Sequence, residues 1–180
     1  MKTILFYNGK TGFTKQYADW IGEETGCEVK PFKDFAKAEI GAEDLVIFGS
    51  RVHAGRVSHL NKVKARLSRN LIVFAVGAVP ATAENVIAKM WSENLTESEI
   101  ETIPHFYMQG GVNYEKMGAV DRTILKGAAK LMSGKKEKTE EEMIFGDTLK
   151  ASFDATSKES IEPLVKCIKE KNQESIPGKH

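Results

Sequence analysis

The chain has 180 residues, 41% hydrophobic and 28% charged, with a net charge of +1. That is one domain's worth of sequence with room for a substantial core. Near-neutral charge argues against a nucleic-acid footprint, and no apolar run is long enough to span a bilayer. Two distant cysteines, Cys27 and Cys167, read as small hydrophobes in a reducing, cytoplasmic compartment rather than as a disulfide framework. The four histidines show no zinc-type spacing, so no metal site is expected.

The pattern alternates short apolar runs with helical stretches, which predicts a parallel sheet wrapped by helices. Thr3 to Tyr7 is the first strand, too short and wrongly flanked for a secretory leader. A helix over Thr14 to Thr25 carries Tyr17, Ala18 and Ile21 on one face and stops at Gly26. Cys27 to Phe32 is a weaker strand, and Pro31 places it at a sheet edge. Leu45 to Phe48 reads as a strand buried on both faces and ending at Gly49. The next helix bears Leu60, Val63 and Leu67, and Leu71 to Val76 repeats the buried-strand pattern up to Gly77. Thr82 is the expected cap of a helix with Val86, Ile87 and Met90. A last strand spans His105 to Gln109, closed by Gly110 and Gly111.

Beyond that strand the alternation breaks. Met117 to Ser133 reads as a helix whose apolar side is Val120, Ile124, Leu125, Ala128, Leu131 and Met132. The charged stretch Gly134 to Glu142 follows it. A final helix is predicted from Thr156, with Thr156 and Glu159 as a capping box, to Lys171, and then a frayed tail from Asn172 to His180.

In open parallel sheets, ligands bind where loops leave the C-terminal strand ends. Here these loops are Asn8 to Thr14, Ser50 to Ser58, Ala78 to Ala81 and Val112 to Lys116. The first, Asn8-Gly9-Lys10-Thr11-Gly12-Phe13-Thr14, joins a strand to a helix. Its glycines let successive N–H groups point inward as an anion nest. The helix dipole and the Thr11 and Thr14 hydroxyls add to the attraction for a phosphate. The Walker and dinucleotide fingerprints are both absent. A loop this short suits one terminal phosphate better than a pyrophosphate.

Tyr7-Asn8-Gly9-Lys10-Thr11-Gly12-Phe13-Thr14 resembles the phosphate loop of flavodoxins, whose core is Thr-Gly-x-Thr directly after the first strand. The resemblance covers roughly residues 1 to 112. Among flavodoxin-like families, the Gly49-Ser50-x-x-x-x-Gly55 loop and the tract from Gly110 through Asp121-Arg122 to Ser133-Gly134 resemble the menaquinone-dependent protoporphyrinogen oxidase branch. The resemblance implies an α/β fold: a doubly wound, five-stranded parallel sheet, helices on both faces, and a late helical insertion at about 113–145 within a single domain 1–180. It also implies FMN held by Gly9, Lys10, Thr11, Gly12, Phe13 and Thr14. Ser50, Arg51, Val52, His53, Ala54 and Gly55 would follow on the second loop, Gly77, Ala78 and Val79 on the third, and Gly111, Val112 and Tyr114 on the last.

Two departures bear on function. Flavodoxins stack the flavin ring between aromatic side chains of the second and third loops, and neither loop contains one here. Electron-carrier flavodoxins are strongly acidic, and this chain is nearly neutral. Instead Arg51, His53 and Arg56 would border the ring, where cations favour the anionic reduced flavin. No catalytic side chain stands out. The expected function is an FMN-dependent oxidoreductase of haem biosynthesis, acting on a porphyrinogen and passing electrons to a quinone or protein. An electron-transfer module without its own substrate and a flavin-free binding domain stay open as alternatives. Residues 117–138 hold six basic and two acidic side chains, so the amphipathic helix there could rest on a membrane surface or form a homodimer. Glu140, Glu141 and Glu142 oppose attraction to anionic lipid.

Overall fold

The computed structural model describes residues 2–67 and 69–174. Strand β1 (Thr3–Asn8) leads into helix α1 (Phe13–Thr25), which ends at Gly26 in a left-handed conformation (φ 69°) that glycine adopts without strain. β2 (Glu28–Pro31) lies at the sheet edge, and a 3-10 turn over Phe32–Lys37 follows. β3 (Leu45–His53) folds back through Ala54 and Gly55 onto the two-residue β4 (Arg56–Val57). α2 (Leu60–Arg66), β5 (Leu71–Gly77), α3 (Glu84–Asn94), α4 (Glu97–Thr102) and β6 (His105–Gln109) complete the regular alternation. The late segment contains β7 (Gly111–Val112), α5 (Ala119–Gly134), α6 (Glu140–Thr148) and β8 (Phe153–Asp154) before the last helix, α7 (Glu162–Glu174).

Five parallel strands run in the order β2-β1-β3-β5-β6, with β4 an antiparallel addition to the end of β3. This is the doubly wound, flavodoxin-like order, whose reversal point lies between β1 and β3. The central strands β1, β3 and β5 are covered on both faces, which explains why they read as unbroken apolar runs. Leu5, Ile47, Ile72 and Phe74 point to one side, against Tyr17 and Ile21 of α1 and Leu164 and Ile168 of α7. Ile4, Phe6, Val46, Phe48 and Val73 point to the other, against Leu60 and Val63 of α2 and Met90 and Trp91 of α3. Gly49 is required inside β3, because a Cβ there would lie 1.9 Å from the Phe74 ring.

Several expectations shift. β3 does not stop at Gly49 but continues to His53, because Val52 and His53 find ladder partners in Val57 and Arg56. The second loop is therefore a hairpin. Thr82 does not cap α3; Ala83 stands at the cap, without a side-chain bond. The Thr156–Glu159 capping box is also absent. Thr156 instead takes both its N–H and its hydroxyl to Asp154 Oδ1, a local turn that competes with helix initiation. A 3-10 turn over Lys158–Ile161 then delays the helix to Glu162. Residues 172–174 of the expected frayed tail are the end of α7; residues 175–180 lie outside the described residues.

Candidate functional site

The loop between β1 and α1 has the geometry that an anion cradle needs. Gly12 stands at the N-cap of α1 with φ 102°, a left-handed conformation that side chains rarely adopt, and no side chain caps the helix. The first-turn N–H groups have no partner within the helix and converge on the loop. No acidic residue occupies that first turn. Gly9 closes the other side of the cradle: a Cβ there would meet Thr14 Cβ and Oγ1 at 2.9 Å. Thr14 is 2% exposed, so its hydroxyl is rigidly placed beneath the loop. Phe13 turns its ring into the core against Gly110 and Gly111, leaving its backbone to the loop. A chain that needs glycine at both shoulders, with a bare helix N-terminus between them, fits a terminal phosphate.

The second loop starts from a clasp at the adjacent strand end. Asn8 and Ser50 are register partners. Asn8 Nδ2 donates to Ser50 Oγ at 3.0 Å, and that buried hydroxyl donates to Ser58 O at 2.7 Å. Ala54 and Gly55 take positive φ (48° and 74°) at the hairpin tip, the pair of left-handed residues that a tight two-residue turn needs. Asn94 of α3 holds the hairpin from behind. Its Nδ2 donates to Gly55 O (2.7 Å) and its Oδ1 accepts from Val57 N–H (2.8 Å). Arg56 hydrogen-bonds to Glu93 O, so its guanidinium is drawn to the end of α3 and does not join Arg51 as a free loop cation.

The third loop is tied to the edge strand. Gly110 N–H donates to Gly77 O (2.7 Å), Tyr107 Oη to Val79 O (2.8 Å), and Ala81 N–H to Gln109 Oε1 (3.3 Å). Gly77 has no room for a side chain, since a Cβ would stand 2.6 Å from Tyr107 Oη. Burial pushes the Tyr107 phenol well above its usual range. Gly111 and Val112 leave the sheet and pair with Asp154 and Phe153 in the small β7–β8 ribbon. There a Cβ on Gly111 would strike Phe153 O at 2.1 Å. Tyr114 belongs to the frame of the insertion: its hydroxyl donates to Leu149 O (2.6 Å), its N–H to Ser152 Oγ (3.0 Å), and Lys126 lies 5.5 Å above its ring.

The insertion also supplies an acid. Asp121, in the first turn of α5, places Oδ2 2.8 Å from Lys10 Nζ and 3.7 Å from Arg51 Nη1. The hydrogen bond from Lys10, then the charges of Lys10, Arg51 and His53, hold the Asp121 carboxyl below its usual range. Sequence reasoning located the cations but missed this partner. Nothing in local spacing connects residues 10, 51 and 121. Asn8, Ser58 and Asn94 were missed for the same reason, although Asn94 sits at a helix end where a side-chain amide often bonds outward.

The expected apolar side of the insertion helix divides between two faces. Leu125, Ala128 and Met132 are half-buried, whereas Val120, Ile124 and Leu131 are 72%, 56% and 75% exposed. Among the described residues no helix is long and apolar enough to cross a membrane, and no group of three or more His, Cys, Asp or Glu is placed to hold a metal.

A family model described as a flavodoxin domain matches residues 4–141. Among solved structures, a flavodoxin from the domain Archaea aligns at 15% identity and a TM-score of 0.36, covering 83% of this chain and 96% of that one. No curated protein matches.

Proposed function

The chain belongs to the flavodoxin domain family, whose members bind flavin, and from this we propose that it binds FMN and works as an FMN-dependent oxidoreductase. The observation that carries the cofactor assignment is the cradle: Gly12 at φ 102° directly before an uncapped α1, with Gly9 packed on Thr14. Bound flavin supplies one- or two-electron transfer. The chain's own residues do the rest. Loop N–H groups and the Thr11 and Thr14 hydroxyls donate to the phosphate. The clasp of Asn8, Ser50 and Ser58 fixes the distance between the first and second loops. Bonds donated by Gly110 and Tyr107 and one accepted by Gln109 tie the third loop to the edge strand.

The finer assignment is an enzyme similar to the menaquinone-dependent protoporphyrinogen oxidase branch, in a reducing, cytoplasmic compartment. It is supported by an α5–α6 insertion reaching the cofactor loops, by near-neutral charge, and by two free thiols, Cys27 and Cys167. The exposed ridge of Val120, Ile124 and Leu131, on a segment with an excess of basic residues, supports contact with an anionic membrane surface.

Release and mass identification of the chromophore from purified protein tests the cofactor. Thr11→Ala combined with Thr14→Val, which keeps bulk against Gly9, removes two hydroxyl donors worth about 1.5–3 kcal/mol each toward a charged group. FMN affinity is expected to fall about tenfold or more while riboflavin affinity changes little. A folded double variant with unchanged FMN affinity would remove the phosphate from this loop. Turnover of a porphyrinogen with a quinone acceptor separates the enzyme from an electron carrier.

A further inference from the structure

Asp121 is far in sequence from both of its cationic partners, and its carboxylate does not cap its own helix. The N-cap of α5 is Gly118 and receives no side-chain bond. The carboxylate reaches off the insertion to the ends of two neighbouring strands. Oδ2 accepts a hydrogen bond from Lys10 Nζ at 2.8 Å and faces Arg51 Nη1 at 3.7 Å. The acid is the most enclosed of the three, 18% exposed against 27% for Arg51 and 58% for Lys10. Lys10 lies within the Gly9–Thr14 cradle, and Arg51 follows Ser50, the register partner of Asn8. One carboxylate thus binds the lysine of the Gly9–Thr14 loop and faces the arginine that follows the register partner of Asn8.

We propose that Asp121 is a specificity-determining residue of the cofactor site, an internal anion that competes with the cofactor's phosphate for Lys10 and Arg51 and so sets how strongly phosphorylated flavin is preferred over riboflavin. This rests on the phosphate-loop reading above. The physical argument is charge balance. Without the acid, an arriving dianion meets two cations; with it, the local charge is reduced by one, and carboxylate and phosphate repel within a screening length. Riboflavin carries no phosphate and is spared that repulsion. Coupling is reciprocal: if Asp121 weakens phosphate binding, phosphate must weaken the bond that seats the start of α5 on the loops. Phosphate occupancy then loosens the insertion, and riboflavin does not.

The test measures dissociation constants of FMN and riboflavin by fluorescence quenching for the wild type and Asp121→Asn, a substitution that keeps shape and removes charge. The FMN preference is expected to rise about two- to fivefold in the variant, the scale of a partly exposed ion pair. Riboflavin affinity should stay unchanged, and added salt should narrow the gap. Hydrogen exchange on wild type should show faster exchange at the start of α5 with FMN than with riboflavin. If wild type prefers FMN but Asp121→Asn leaves the preference unchanged or lowers it, the competition is overturned while the phosphate loop stands. If wild type binds both flavins equally, both readings fall. Combining Asp121→Asn with Lys10→Met should erase most of the gain; a full gain in the double variant would exclude Lys10 as the contested cation.

Discussion

The sheet and the insertion are stabilised in different ways. In the sheet, the central strands β1, β3 and β5 are buried on both faces, and glycines stand where a single methyl group has no space, as at Gly49 against Phe74 and Gly77 against Tyr107. From α5 to α6 the chain packs chiefly on itself. The bond from Lys10 to Asp121 ties it to the body, while Tyr114 to Leu149 and Arg122 to the carbonyls of Glu115 and Met117 brace the segment from within. α6 begins with a capping box of Thr139 and Glu142. A close-packed region resists any change in volume, whereas a region held by polar contacts tolerates volume and responds to charge. The loops at the ends of β1 and β3 lie where the two regimes meet, with rigid shoulders from the sheet and a charge from the insertion.

Matched glycine substitutions should break this comparison if it is wrong. Gly49→Ala forces a methyl group into the Phe74 ring and should cost about 2 kcal/mol or more, with Tm falling roughly 4–8 °C. Gly127→Ala adds the same methyl group in the interior of α5, where nothing lies within 4 Å. It should slow hydrogen exchange across α5 by about 0.5–1 kcal/mol of added helix stability and leave the global Tm unchanged. A Tm that falls equally in both variants would mean that the insertion is packed as tightly as the sheet.

The same contrast governs what the sequence discloses. Strands β1, β3 and β5 are legible because burial on both faces demands unbroken apolar runs, and α1 because Gly26 must take φ 69°. The loop after β1 is legible for a similar reason, since the conformation itself requires glycine at position 12. Contacts across long separations leave no such trace. Nothing near Arg51 announces Asp121, and nothing near Gly55 announces Asn94. Periodicity also misleads where a helix has two faces. Val120, Ile124 and Leu131 share the spacing of core residues with Leu125 and Met132, yet only the second group meets the protein. The capping box at Thr139 was legible in principle, but it lies inside the charged stretch Gly134 to Glu142, where no apolar periodicity marks a helix. Thr156 and Glu159 match the same motif and fail, because Asp154 claims the threonine first.

The exposed ridge sharpens the comparison at intermediate size. Wild-type protein should sediment with vesicles containing anionic lipid at low salt, and the bound fraction should fall as salt rises. Ile124→Ser with Leu131→Ser removes two side chains worth about 1.5 kcal/mol or more each on burial, so partitioning should fall about tenfold or more without loss of Tm. Such silence in stability is what an outward face predicts. Wild type that never sediments, together with a concentration-dependent dimer lost in the double variant, would assign the ridge to a second copy of the chain instead.

The smallest effect expected is a pH dependence that separates the two regions by where they titrate. His59 adopts a left-handed conformation (φ 66°), and its ring stacks on Phe32 with centroids 4.9 Å apart. Burial, then the charges of Lys62 and Arg51, push its imidazole below the ordinary value. A base with a depressed folded pKa is held neutral by the fold, so the unfolded chain binds more protons as the solution acidifies. Its contribution is therefore complete above the unfolded value of about 6.5 and is lost as pH falls through the folded value. Asp121 behaves otherwise. Its folded pKa is depressed by Lys10, so its contribution is complete above about pH 4 and is lost only as pH falls further. Between pH 7.5 and 5.5 the packed region should weaken slightly while the bond from Asp121 to the cofactor loop persists. The check is the urea midpoint at both pH values for wild type and His59→Asn, asparagine being the side chain that best tolerates the left-handed conformation. Acidification should lower the wild-type midpoint more than that of the variant, with hydrogen exchange at the start of α5 unchanged in both. Equal shifts in the two proteins would show that the Phe32–His59 stack is indifferent to protonation.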